Sequence, residues 1–475
     1  MNPIVEMDAD ALSRAIHARH VSCREVMQAY LAQIERFNPQ VNALVSLRPA
    51  EELLAEADTC DRQLDQGQSR GWMHGMPQAV KDLAATAGLR TTMGSPLFAE
   101  QVPLHDAISV ARVRASGAII IGKSNVPEFG LGSHTYNSVF GTTTNAYDPS
   151  LVAGGSSGGA AVALALRMLP VADGSDMMGS LRNPAGWANV VGFRPSFGRV
   201  PYGPSGEVFI QQLATEGPMG RTVADAALLL SVQAGFDPRV PLSIDRDPSV
   251  FAGALDRDFR GARIGWLGDQ DGYLPTEPGV LEVCRSALGH FEAIGCTVEG
   301  VTPDFDMARL WEAWLVLRGT LVAGAAGPLY ADPVTRAQLK PEAVWEIENG
   351  LRVGGPEVFK ASATRSAWYQ EMRRLFETYD FLVLPTAQVF PFAADLHWPE
   401  RIGDRRMDTY HRWMEVVIPG TLGGGPVLAV PAGFDSRDRP MGLQILGPAR
   451  ADLATLQIGH AYEQASGFSR RQPPA

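Results

Sequence analysis

Lys81, Ser156 and Ser180 stand in the three segments of this chain whose residue types suit covalent chemistry. Gly154-Gly155-Ser156-Ser157-Gly158-Gly159 is a dense Gly/Ser run leading into the Ala-rich stretch 160–168. Glycines let backbone amides face a ligand, and a helix start favours negative charge. The same composition also makes an ordinary turn. It is not a P-loop, because no lysine follows its last glycine. In Asp173-Gly174-Ser175-Asp176-Met177-Met178-Gly179-Ser180 the glycine before Ser180 leaves that hydroxyl unshielded, although an exposed turn would read the same. Lys81 closes the apolar step Ala79-Val80. There a lysine either snorkels to water or is buried with a lowered pKa and serves as a base.

Such groups need rigid elements to hold them. Ser22-Cys23-Arg24-Glu25 reads as a capping box. It opens a helix whose apolar face is Val26, Met27, Tyr30, Leu31, Ile34 and Phe37, and Asn38-Pro39 is expected to end it. A shorter helix over 10–18 and another over 50–65 make the first 65 residues helical. Beyond them, 118–121, 381–385 and 427–431 read as buried strands, and 110–115, 160–168 and 453–465 as helices. The alternation predicts one α/β body, with a catalytic core over 66–470 and the N-terminal helices packed on it or on a second copy. Residues 129–158 read as loop, and 236–250 and 300–360 as poorly patterned stretches with room for insertions.

A hydrophobic fraction of 45% and a charged fraction of 20% are ordinary for a globular chain, and 475 residues can wall off an active site. The net charge of −11 argues against nucleic acid or an anionic membrane as a partner. Cys23, Cys60, Cys284 and Cys296 form no C-x-x-C pair, which predicts neither a disulfide framework nor a structural metal. With no apolar h-region at the N-terminus and no membrane-length apolar run, the cytoplasm is the expected compartment.

Together the three segments resemble the amidase signature family. Lys81, the Gly-Gly-Ser-Ser-Gly-Gly loop and Gly179-Ser180-Leu181-Arg182 occur in the family's order, and the 24-residue step from Ser156 to Ser180 is the family's interval. Gly75-Met76-Pro77, Gly122-Lys123-Ser124-Asn125, Pro127-Glu128-Phe129-Gly130, Gly217-Pro218-Met219 and Val430-Pro431-Ala432-Gly433 are similar to further family blocks. The resemblance implies the amidase signature fold, a central twisted mixed β-sheet flanked by α-helices. It implies amide C–N hydrolysis with Ser180 as nucleophile, a cis-bonded Ser156 as bridge and Lys81 as the neutral base. It further implies an oxyanion hole of backbone N–H groups from Met177, Met178, Gly179 and Ser180, and a supporting shell of Gly154, Gly155, Ser157, Asp176 and Arg182. No metal or organic cofactor is implied; the partner is a small amide or carbamate, and a homodimer fits family habit. Met178 departs from the family's usual glycine, so its φ must be ordinary or the loop strained. Phe193-Arg194-Pro195-Ser196 replaces the commoner Leu-Lys-Pro-Thr, read as structural.

Other readings exist. Gly155-Ser156-Ser157-Gly158-Gly159 also fits G-x-S-x-G, with Ser157 as nucleophile and His397, His411 or His460 as base. That elbow needs a strand before it, and Asp148-Pro149-Ser150-Leu151 is a poor one. Within the family, the glutaminase subunit of a tRNA-dependent amidotransferase is an alternative, and a catalytically dead scaffold is another. Trp311 and Trp314, at i, i+3 spacing, are either core or the wall of a pocket for an aryl group.

Overall fold

The computed structural model describes residues 2–474. Apolar runs that alternate with helical stretches become the inner strands of an eight-stranded mixed sheet, in the order 297–300, 263–266, 381–385, 440–446, 427–434, 191–194, 215–220 and 171–176. The first three run parallel and the remaining neighbours pair antiparallel. Phe381–Pro385 and Val427–Phe434 are buried almost throughout, which is why they read as continuous apolar runs. Helices Val223–Gln233, Val280–Ala293 and Asp452–Ser466 cover the sheet. The edge strand Val171–Asp176 also abuts Pro77–Lys81, one member of a three-stranded sheet with Leu44–Val45 and Ile119–Ser124. Lys81 therefore ends a strand beside the strand that ends at Asp176.

The N-terminal helices lie on this body. Val5, Leu12, Val26, Tyr30 and Leu53 share a core with Ala160–Leu164, Leu169 and Ala429. The Ser22–Glu25 capping box forms as expected. The helix it opens does not stop at Asn38-Pro39 but continues to Val41. Pro39 sits so close to the end that it deletes one ladder bond without bending a long continuation. Asn42, at φ 50°, then donates its N–H to Asn38 O at 2.8 Å and closes the helix.

Residues 300–360 are helical, not an irregular insertion: helices span Met307–Ala331, Pro341–Leu351 and Gly355–Leu375. The first is apolar around most of its circumference, so it offers little periodic contrast to a reader of the sequence. It crosses Pro341–Leu351 where two glycines meet, and a Cβ on Gly350 would stand 2.0 Å from Gly319 O. Gly350→Ala should push these helices apart and cost about 1–3 kcal/mol, read as a lower unfolding midpoint, because overpacked contacts must displace backbone.

Candidate active site

The site forms where the two sheets touch. Lys81 Nζ, wholly buried, lies 2.9 Å from Ser156 Oγ, 2.8 Å from Ser157 Oγ, 3.0 Å from Ser175 Oγ and 3.1 Å from Ser175 O. Among the described residues, no carboxylate forms an ion pair with it. Burial pushes its pKa down to about 7, against the opposing pull of Asp176, Asp173 and Glu216. A neutral amine has two N–H groups and one lone pair. The carbonyl of Ser175 can take only an N–H, so a hydroxyl is available to donate into the lone pair. Lys81 does not snorkel to solvent.

The Gly/Ser loop is pinned from outside. Ser133 Oγ donates to Gly155 O at 2.6 Å and Thr135 Oγ1 to Gly154 O at 2.8 Å. The Gly155–Ser156 peptide is cis, and helix Gly158–Ala165 follows. Ser180 arrives from the other direction, on the turn after Asp176. Gly179, at φ 81°, makes that turn, and a Cβ there would meet Asn183 Oδ1 at 2.3 Å. Met178 lies outside the positive-φ region, so its side chain imposes no backbone strain.

Asp176 organises the turn. Its carboxylate accepts from Gly179 N–H at 2.9 Å, Leu181 N–H at 3.1 Å, and Arg182 Nε and Nη2 at 3.0 and 2.9 Å. Burial alone would raise its pKa, but Arg182 and Arg194 hold it well below the usual carboxylate range. Arg182 also reaches Val417 O, Gln444 Oε1 and Thr421 Oγ1, which ties the turn to the sheet. Arg194 binds Asp176 O and, at 3.4 Å, its carboxylate. It is structural, as the sequence suggested, but it grips the residue at the base of the turn that carries Ser180.

Two expectations need correction. The Gly179 N–H is spent on Asp176 and is not a free oxyanion donor. Among the described residues, the N–H groups of Met177, Met178 and Ser180 find no hydrogen-bond acceptor, so these three are the ones left free on the turn. Only half of the bridge is formed: Ser156 contacts Lys81, but Ser180 Oγ hydrogen-bonds neither Ser156 nor any other described group. The nucleophile-elbow arrangement is absent among the described residues. Ser157 bonds Lys81 and no histidine, the His411 ring makes no hydrogen bond, and Leu151 and Val152 form only isolated bridges.

Ser175 and Asp173 stand in the segment that leads to Ser180, and the sequence alone assigns them no place in the site. They alternate with Gly174 on the strand Val171–Asp176, so both face Lys81. Asp173 Oδ2 accepts the Lys81 backbone N–H at 3.1 Å. On the far side of the turn, Arg318 places one amine 3.8 Å from Met177 Sδ and donates another to Tyr410 Oη at 2.7 Å, while its Nε binds Glu346. Tyr410, Trp345, Trp311 and His411 form an aromatic box there, with ring centroids 4.7–5.9 Å apart. Burial, with Arg318 and Arg412 nearby, keeps His411 neutral. Trp311 and Trp314 are core, as 3% and 0% exposure requires, whereas Trp345 and Tyr410 also line an open cavity of about 310 Å³.

A strand-end lysine caged by hydroxyls, facing a turn of free amides, on a mixed sheet of this order, defines a class of amide-cleaving hydrolases. The amidase family model matches residues 25–456, and the chain belongs to that family, a hydrolase of C–N bonds in amides. It is 33% identical over 486 residues to a glutamyl-tRNA(Gln) amidotransferase subunit of Thermosynechococcus vestitus, covering 97% of this chain and 98% of that one. It is 31% identical to an acylamidase of Rhodococcus erythropolis, covering 98% and 97%. The crystal structure of a bacterial aryl acylamidase of the amidase signature enzymes superposes with a TM-score of 0.91 at 28% identity, covering all of both chains. Among the described residues, no helix is long and apolar enough to cross a membrane.

Proposed function

We propose that the protein is a free-standing amidase that hydrolyses an uncharged carboxylic amide or carbamate bearing an apolar, preferably aromatic, group through an acyl-enzyme on Ser180. The observation that carries this reading is the buried, unpaired Lys81 among three serine hydroxyls. Ser180 Oγ turns towards Ser156 as it attacks the carbonyl carbon. Its proton passes to Ser156 while the Ser156 proton passes to Lys81, as in nucleophile–base relays generally. The N–H groups of Met177, Met178 and Ser180 hold the oxyanion, each donor contributing about 3–4 kcal/mol in comparable sites. Lys81 then returns its proton through Ser156 to the leaving nitrogen, the C–N bond breaks, and water hydrolyses the ester by the same relay. Hydrogen bonds of this kind are commonly open before substrate arrives.

Trp345 and Tyr410, which line the open cavity next to Arg318, support the aryl preference. Arg318, which reaches Met177 of the turn, is already paired with Glu346, and Arg182 and Arg194 are paired with Asp176, so no free charge is left for an amino-acid carboxylate. The overlap with the aryl acylamidase over both full lengths points the same way. The 33% identity to the amidotransferase protein favours a second reading, a glutaminase that serves a partner. Turnover of aryl amides by the isolated protein, with glutamine a poor substrate, supports the first; strict glutamine dependence overturns it.

Labelling with a small fluorophosphonate followed by peptide mapping tests the nucleophile. Modification is expected on Ser180, lost in Ser180→Ala and retained in Ser157→Ala. A label on Ser157 would sink the assignment.

A further inference from the structure

Behind Lys81 lies a second cavity of about 580 Å³, which Ser156 and Ser180 do not line. Lys81, Ser175, Asp173 and Glu216 form its inner end. Leu104 and Tyr202 form part of its exposed rim. Lys81 thus meets Ser156 and Ser157, which do not line this cavity, and also the cavity itself; the proposed reaction uses only the contact with the serines.

The rear cavity has a charge pattern that the fold leaves uncompensated. Glu216 is 8% exposed, lines the cavity, and its Oε2 has no hydrogen-bond partner among the described residues. Burial, resisted by Ser109, raises its pKa to about 7, and Asp173 adds to the rise. Asp173 bonds the Lys81 N–H and the Gln78 amide, but no cation of the described residues reaches it within ion-pair distance. Other charges around this end are committed. Asp176 is held by Arg182 and Arg194. Asp106 is held by Arg114 and the Ala87 N–H, with His105 exposed beside it. Lys123, on the neighbouring strand, donates to Ala84 O and Thr86 Oγ1, and Asp82 accepts from Thr92. With Lys81 neutral, the carboxyl groups of Asp173 and Glu216 face a solvent-connected cavity that no positive side chain enters; burial raises the pKa of both, and a cation between them favours their ionised forms. Among the described residues no three His, Cys, Asp or Glu side chains converge as metal ligands, so the site suits a monovalent cation and not a transition metal.

We propose that this cavity binds a small ammonium-type cation, ammonium or a primary alkylammonium, between Asp173 and Glu216, and that its occupancy keeps Lys81 in the neutral form that accepts the Ser180 proton. The inference rests on the reading of Lys81 as the base. The sign follows from electrostatics. Asp173 and Glu216 favour a proton on Lys81, and a cation bound to them cancels that pull and repels the charged amine. Since ammonium and alkylammonium ions are what amide hydrolysis releases near neutrality, the product would hold the base ready on the acid side of the pH profile.

The test is the rate of Ser180 labelling by a fluorophosphonate against pH, in ammonium chloride and in tetramethylammonium chloride at equal ionic strength. The latter cation carries the same charge but has no N–H to donate to the two carboxyl groups. On the acid limb, near pH 6, ammonium should raise the rate at least about threefold, the effect of moving the limb by about half a pH unit. Glu216→Gln should show the limb already displaced to lower pH and no difference between salts. Equal rates for the unaltered protein in the two salts overturn the proposal without recourse to the variant, and an ammonium response retained in Glu216→Gln overturns it as well. Absence of any Ser180 label would instead overturn the catalytic reading on which it rests.

Discussion

Lys81→Met is expected to abolish most turnover and, at neutral pH, to make the protein harder to unfold. Loss of a positioned base costs about 10²–10⁴-fold in kcat/KM, and here the same residue serves acylation and leaving-group protonation, so the upper end is expected. The stability effect has the opposite direction. In the unfolded chain this lysine titrates near its ordinary 10.5, and in the folded protein burial brings it to about 7. The unfolded state therefore binds a proton that the folded state releases. Stability falls as pH drops from about 10.5 to about 7 and is unaffected by this group below that. At about 1.4 kcal/mol for each tenfold change in proton affinity, Lys81 costs the fold at most about 4–5 kcal/mol at pH 7. The hydroxyls of Ser156, Ser157 and Ser175, left without a partner in the variant, reduce that gain. Denaturant unfolding at pH 7 and pH 10 checks the claim. The advantage of Lys81→Met should be clear at the lower pH and nearly gone at the higher. An advantage independent of pH would mean that the amine is charged in the fold. The same proton affinity predicts kcat/KM that rises through about pH 7 and falls tenfold per pH unit below it.

Asp176→Ala should be the most damaging single change to the fold that touches no reacting atom. Arg182 and Asp176 are both fully buried, and Arg194 stands 3.4 Å from the same carboxylate. Removing one member of such a cluster costs about 3–5 kcal/mol, because it leaves uncompensated charge in the interior. It also releases the N–H groups of Gly179 and Leu181, which shape the turn that carries Ser180. Both the unfolding midpoint and Ser180 labelling should fall. Because Asp176 is held below its ordinary 3.8, its contribution is complete at neutral pH and is lost as pH falls below about 4. If Asp176→Ala unfolds at the normal midpoint with labelling intact, the clamp is not what fixes the turn.

The features legible in the letters alone were chiefly local or chemical. The Ser22–Glu25 box closes within three residues, so its residue types suffice. The strands at 381–385 and 427–431 were legible because both faces are buried and the runs are apolar throughout, the second continuing in the fold to Phe434. Lys81, Ser156 and Ser180 were legible as chemically suitable residues, and their spacing marked the family. Nothing local says that Lys81 meets Ser156, 75 residues away, or Ser175, 94 residues away. That meeting depends on which strand lies at the sheet edge. Nor did the letters show that Gly179 would give its N–H to Asp176, since that depends on how tightly the turn folds back. The rear cavity and the Arg318–Glu346–Tyr410 contact were wholly invisible, being assembled from segments far apart in the chain. The burial of Lys81 belongs with them. A lysine after an apolar step is charged in water and neutral in a dry hydroxyl cage, and only the packing of the two sheets sets which of these it is.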